Sequence, residues 1–195
     1  MKKLLLTAVA ALAISFGAKA QTEQGKIILG GSVGYSYDHL NGSDANTQSF
    51  NVTPNIGYFI SDNFAIGTRV GYAYRQEKDG EIKDKWGSFV AVPFARKYSG
   101  TETFKFFGEL SVPMAWGTVK NDGTKVASTA NYGVQLSPGV AFFPKSNFGI
   151  ELSVRGLYYG NDRFTNEITG GKSISNSFGL ASNFFSPQLG VQFYF

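Results

Sequence analysis

Pro187-Gln188-Leu189-Gly190-Val191-Gln192-Phe193-Tyr194-Phe195 is the stretch whose reading decides the fold. Pro187, Leu189, Val191, Phe193 and Phe195 fall on one side, and Ser186, Gln188, Gly190, Gln192 and Tyr194 on the other. A period of two with unlike sides is a strand with two different faces. The run ends on an aromatic with no polar tail, and an open apolar strand edge invites aggregation. A barrel in which the last strand pairs with the first has no such edge.

The preceding chain supplies the other strands. Alternation runs over 26–37, 49–60, 64–75, 86–98, 103–117, 129–143 and 148–159. Between them lie polar loops at 38–48, 76–85, 118–128 and 160–176, and short turns at 61–63, 99–102 and 144–147. The sequence thus predicts an all-β, eight-stranded, up-and-down antiparallel transmembrane barrel, with short turns at one end and long loops at the other. Pro54, Pro93, Pro138 and Pro187 recur in the strands that descend toward the short turns. Proline removes a ladder hydrogen bond, so local bulges are expected beside them.

Residues 1–20 read as a cleaved signal peptide: Lys2 and Lys3, an apolar core from Leu4 to Phe16, then Ala18-Lys19-Ala20. Residues 21–195 form the single barrel domain. Removing Lys2, Lys3 and Lys19 lowers the formal charge from +4 to +1, so the basic balance gives no reason to expect nucleic acid. Cysteine is absent, which excludes disulfides and thiolate chemistry.

Two residue patterns resemble a known family. Gln188, Gly190, Phe193 and Phe195 resemble the C-terminal signal that outer-membrane β-barrels present to their insertion machinery. With apolar faces outward, aromatics fall at two heights, as the two interfaces of a bilayer select. Tyr35, Tyr37, Tyr72, Tyr74, Trp86, Trp116, Tyr132 and Tyr158 lie toward the long loops. Tyr58, Phe64, Phe94, Phe104, Phe142, Phe148, Phe193 and Phe195 lie toward the turns. The opposite face is rich in Gly, Ser and Asn, too small and polar for the dry core of a soluble, lipocalin-like barrel. Architecture, interior charge and the terminal motif together resemble the OmpA-like eight-stranded barrels, without the periplasmic peptidoglycan-binding domain that follows the barrel in OmpA itself. The resemblance implies location in the outer membrane with both termini in the periplasm. Its implied partners are the surrounding lipid and lipopolysaccharide, the insertion machinery, and an extracellular ligand for the long loops.

The inward set includes Arg69, Arg75, Lys97, Lys105, Glu109, Gln135, Glu151 and Arg155. Strand rise and tilt advance roughly 2.5 Å of height per residue, which places Arg69, Glu109 and Arg155 near mid-membrane and Glu151 somewhat lower. An eight-stranded lumen is only just wide enough for side chains, and charges there must pair. The expected network therefore joins Glu109 and Glu151 to Arg69 and Arg155 and plugs the lumen; its rearrangement would open a narrow path.

Catalytic motifs are sparse. His39 beside Asp38, with Ser36 and Ser43 nearby, is the one arrangement that a lipid A-modifying enzyme could use; an exposed loop histidine is the simpler reading. Gly171-Lys172-Ser173 lacks the first glycine of a phosphate loop, since Asn166 stands there. Asp79, Glu81 and Asp84 interleave with Lys78, Lys83 and Lys85, which favours a solvated loop over a calcium site. No cofactor or metal is expected. The favoured role is structural or surface-interacting, with a low-conductance pore for small solutes as the alternative.

Overall fold

The computed structural model describes residues 21–39, 45–80, 82–180 and 188–195. Its strands are β1 (Ile27–His39), β2 (Asn46–Ser61), β3 (Phe64–Asp79), β4 (Ile82–Gly100), β5 (Phe104–Ser111), β6 (Met114–Asn121), β7 (Thr124–Lys145), β8 (Phe148–Ser153), β9 (Leu157–Asn166), β10 (Lys172–Leu180) and β11 (Gln188–Tyr194). β5 with β6 makes one wall strand, as do β8 with β9 and β10 with β11, so the wall has eight. Every pairing is antiparallel, and β11 joins β8 on one side and β1 on the other. The seam runs from Ile28↔Tyr194 to Gly31↔Val191, and Ile27 and Phe195 exchange backbone hydrogen bonds of 2.8 and 2.9 Å. The barrel is closed, as the alternation in the last nine residues requires.

The short turns fall where the sequence places them, including the tight turn at Asn63, whose φ of 59° is left-handed. Three of the expected long loops are instead strand. The 76–85 segment pairs as far as Asp79↔Ile82. The 118–128 segment pairs as far as Asn121↔Thr124 around Asp122-Gly123, whose φ values of 46° and 89° suit a two-residue hairpin. Most of 160–176 is the β9–β10 hairpin. These residues read as loop because neither face is apolar, but a strand standing in water needs no apolar face. Glu81, Pro187 and residues 40–44, Ser43 among them, lie outside the described residues, as does the 1–20 leader.

The prolines behave as expected at two places. The wall strand beside Pro93 is interrupted at 112–113, where Val112 N–H donates to the Pro93 carbonyl at 3.0 Å. Beside Pro138, Gly139 pairs with Ser153 whereas Gln135 pairs with Tyr158, so β8–β9 carries one extra residue. Pro54 lies opposite Gly31 with no bulge.

Cross-strand partners share a face, and this corrects several orientations. Arg69 pairs with Val92, so Val92, Phe94, Arg96 and Tyr98 point inward and Lys97 outward. Trp86 has the same parity and lies beneath the Arg75 guanidinium, 5.7 Å from it. The near-continuous apolar run Phe89-Val90-Ala91-Val92-Pro93-Phe94-Ala95 hid this phase. The extra residue beside Pro138 shifts the phase again, so Tyr159 faces outward and Tyr158 inward. Trp86, Phe94 and Tyr158 therefore leave the two aromatic girdles. Tyr35, Tyr72, Trp116 and Tyr132 remain exposed at one height, and Tyr58, Phe104, Phe142 and Phe193 at the other.

Candidate functional site: the charged layer in the lumen

Four wall strands project charge into the barrel. Arg69 comes from β3, Arg96 from β4, Glu109 from β5 and Glu151 from β8. Glu109 accepts from Arg69 through both of its oxygens, at 3.0 and 2.5 Å. Arg96 is the hub. Its Nη2 lies 2.7 Å from Glu109 Oε2, and its Nη1 lies 2.7 Å from Glu151 Oε2. Arg96, Glu109 and Glu151 are each 4% exposed, so the two pairs are dry. Glu151 Oε1 also accepts from the hydroxyls of Tyr98 at 3.0 Å and Tyr194 at 2.7 Å. Two guanidinium and two carboxylate groups balance, and the glutamate oxygens are occupied, as buried charges demand.

Aromatic rings fix the hub. The Arg96 guanidinium lies 4.3 Å from the Phe107 ring centroid and 5.3 Å from that of Phe94. Glycines opposite make the room. A Cβ on Gly139 would stand 2.2 Å from the Phe107 ring, and one on Gly67 would stand 2.5 Å from the Phe94 ring.

Below this layer, toward the short turns, the lumen is packed. Phe59, Tyr98, Phe107, Phe143 and Tyr194 form one cluster with Ile28, Ala65 and Ala141. Ring centroids lie 5.1 Å apart for Phe143–Tyr194 and 5.6 Å for Tyr98–Phe107. The inward face is thus not uniformly small and polar: its lower half is a dry aromatic core, whose rings come from Tyr98 of β4, Phe107 of β5 and the ends of β2, β7 and β11. Lys105, also inward, donates to Asn63 Oδ1 at 3.1 Å beside this core.

Above the layer, a polar cavity of about 520 Å³ extends past Asn55, Asn51 and Gly34 toward the long hairpins. Arg155 borders it but contacts neither glutamate. Its Nε donates to Gln135 Oε1 at 3.1 Å, and its guanidinium lies 5.0 Å from the Tyr158 ring. Of the expected network, Arg69, Glu109 and Glu151 come together and Arg155 stands apart. Arg96 and the two tyrosines were missed as members of the network: equal parity with Arg69's partner Val92 turns Arg96 and Tyr98 inward, and Tyr194 stands on the inward face of the terminal alternation, opposite Phe193.

In the terminal strand, Phe193 faces outward and stacks on Phe195, centroids 6.5 Å apart. Gly190 pairs with Glu151. Gln188 pairs through its backbone with Ser153. His39 ends β1 exposed, on the face opposite Ser36 and Asp38. Lys172 and Ser173 begin the strand β10, not a helix. Among the described residues no group of three acidic, His or Cys side chains is placed to hold a metal.

A closed eight-stranded antiparallel wall, apolar outward and charged within, defines a β-barrel of the outer-membrane type. The outer membrane protein OprG from Pseudomonas aeruginosa shares the fold, with TM-score 0.53 at 12% identity over 91% of this chain and 99% of that one. Neisserial surface protein A is similar with TM-score 0.47 at 15% identity over 92% of this chain and 100% of that one. The translocator domain of autotransporter NalP from Neisseria meningitidis gives TM-score 0.46 at 13% identity, over 91% and 65%. No protein-family model matches the chain, and no curated protein matches it.

Proposed function

We propose that the chain is a non-enzymatic scaffold of the outer membrane, close in design to the OmpA-like single barrels, with its termini in the periplasm and its long hairpins outside. The observation that carries this reading is the two-tier closure of the lumen. Arg96 joins two glutamates across the bore, and a packed aromatic cluster lies directly beneath it. A path for solute would have to break dry ion pairs and displace tightly packed rings at once. The separation of His39 from Ser36 and Asp38 by strand alternation supports a role without catalysis. Gln188, Gly190, Phe193 and Phe195 serve as the insertion signal, and the hairpins present the surface a partner would meet.

A gated narrow pore is the second reading, favoured by the polar cavity that reaches down to Arg69, Arg96 and Glu151. Single-channel recording of the refolded chain from Gln21 to Phe195 separates the two. The scaffold predicts a folded, electrically silent barrel. Discrete openings that change in Glu109→Gln or Arg69→Gln would replace it with the pore.

A further inference from the structure

Arg155 is the inward arginine left without a carboxylate. Arg69 meets Glu109, Arg75 meets Glu77, and Arg96 meets both Glu109 and Glu151; among the described residues no carboxylate lies within salt-bridge distance of Arg155. The backbone around it is built to place it. Val154 N–H donates to the Pro138 carbonyl and Gly156 N–H to the Leu136 carbonyl, each at 3.1 Å, so the irregular stretch of wall is pinned on both sides of Arg155. A Cβ at Gly156 would stand 2.4 Å from the Leu136 carbonyl oxygen, so this register needs glycine there. Bulges of this kind re-aim side chains and gather beside functional sites.

Two contacts hold the guanidinium and leave one edge open. Gln135 Nε2 donates to Ser137 Oγ at 2.6 Å, which turns the amide so that its Oε1 accepts from Arg155 Nε at 3.1 Å. The Tyr158 ring covers one side, its centroid 5.0 Å from Arg155 Cζ. The remaining edge, Nη1 and Nη2, offers two parallel N–H donors, the fork that a carboxylate takes through both oxygens. Arg155 stands where the polar cavity of about 520 Å³ meets a second chamber of about 240 Å³, for Pro113, Gln135 and Arg155 line both. Val90, Pro113 and Ala115 give that chamber an apolar side. Its carboxylate, Asp162, accepts from Asn131 Nδ2 at 2.5 Å. Asp162 lies four residues beyond Tyr158 on the same face, roughly 13 Å along the strand.

We infer that Arg155, with Gln135 and Tyr158, forms a binding site in the upper lumen for a small organic monocarboxylate. The carboxylate takes the free edge of the guanidinium, and the apolar body enters the chamber beside Val90 and Ala115. Asp162 at the far end turns away a second negative charge. The chamber is smaller than drug-sized sites of roughly 300–1,000 Å³, which limits the body to a few carbons. Because the ion layer and the aromatic cluster seal the floor, the ligand enters and leaves by the hairpin end. The site stands on the cavity and not on the choice between scaffold and pore, and it gives the lumen a ligand.

The test titrates butyrate into the isotope-labelled chain from Gln21 to Phe195, refolded in zwitterionic detergent, with heat-modifiable gel migration as the check on folding. The side-chain amide of Gln135 and the backbone amide of Gly156 report binding by NMR. Butyrate should bind about tenfold to a hundredfold more tightly than butyramide, its uncharged counterpart. Arg155→Gln, outside the buried ion layer, should fold and bring butyrate down to the butyramide level. Arg155→Lys should fall between, since it keeps the charge and loses the fork. Ala115→Leu, which fills the chamber and leaves Arg155 in place, should lose binding as well, and succinate should bind the parent more weakly than butyrate. Equal binding of butyrate and butyramide overturns the inference, as does unchanged butyrate binding in folded Arg155→Gln or folded Ala115→Leu. Inorganic phosphate that binds as tightly as butyrate also overturns it, in favour of a general anion site. A parent that folds but shifts neither signal overturns it too and leaves the barrel reading intact.

Discussion

Arg96 of β4 and Glu151 of β8 meet across the bore at 2.7 Å, each almost fully withdrawn from water. Removing one partner leaves the other charge buried. Arg96→Met is therefore expected to destabilise the barrel by about 3–5 kcal/mol. Arg69→Met should cost less, because Arg69 is 25% exposed on its side chain and Glu109 keeps Arg96. Urea titration followed by tryptophan fluorescence gives both values; equal losses would mean that Arg96 is not the hub.

Tyr98 and Tyr194 donate to the same oxygen of Glu151. A hydrogen bond to a charged group contributes about 1.5–3 kcal/mol, so each Tyr→Phe change should destabilise by up to that amount. The two changes share an acceptor, and their effects should not add. A double-mutant cycle that closes to zero coupling would contradict the shared site.

Gly139 leaves space for the Phe107 ring that faces Arg96. Gly139→Ala forces a Cβ into that ring and toward the Leu152 carbonyl, 2.7 Å away, at a cost of about 1–3 kcal/mol. Phe107→Leu in the same chain should recover part of this loss. Failure of any recovery would place the strain in the backbone instead.

The 118–128 hairpin distinguishes a wall from a loop. Backbone amides of 118–121, and that of Asp122, which donates to the Lys83 carbonyl at 3.0 Å, should exchange slowly with solvent deuterium, and that of Gly123 faster, in the folded barrel. Uniformly fast exchange through 118–128 would return this segment to the loop expected from its sequence.

At the tip of the neighbouring hairpin, the Ser128 hydroxyl and then Lys125 hold the Glu167 carboxyl below the usual glutamate range. A depressed carboxyl keeps its contacts above the ordinary glutamate pKa and loses them as pH falls through the folded value. An NMR titration should find Glu167 low, and Ser128→Ala or Lys125→Gln should each raise it. An unchanged midpoint in both variants would deny the contact.

Closure, strand number and the short turns were legible because strands that cross a bilayer must alternate, and alternation survives in a single sequence. Two things were hidden. Where both faces are apolar, as from Phe89 to Ala95, alternation carries no phase, so Arg96 and Tyr98 passed unnoticed while Lys97 was placed inside. Where both faces are polar, as around Lys83-Asp84-Lys85, alternation separates charges rather than oil from water, and a search for hydrophobic period reads loop. The single extra residue beside Pro138 had a similar effect: it exchanged Tyr158 for Tyr159 and carried Arg155 out of the expected network. Glu109 and Glu151 were found because a carboxylate among Phe, Leu and Ile can only face the lumen.

The seam between β1 and β11 bears on the order of events during assembly. It joins the two most distant parts of the chain, so the hairpins between them can form locally while the ring stays open. Until β11 docks, Glu151 lacks the Tyr194 hydroxyl and the aromatic cluster lacks a ring, while β1 and β8 both present bare edges. Maturation of the lumen is thus tied to a single late event. An unclosed intermediate is marked by its exposed edges, which gives a folding catalyst or a protease a physical means of telling finished molecules from unfinished ones.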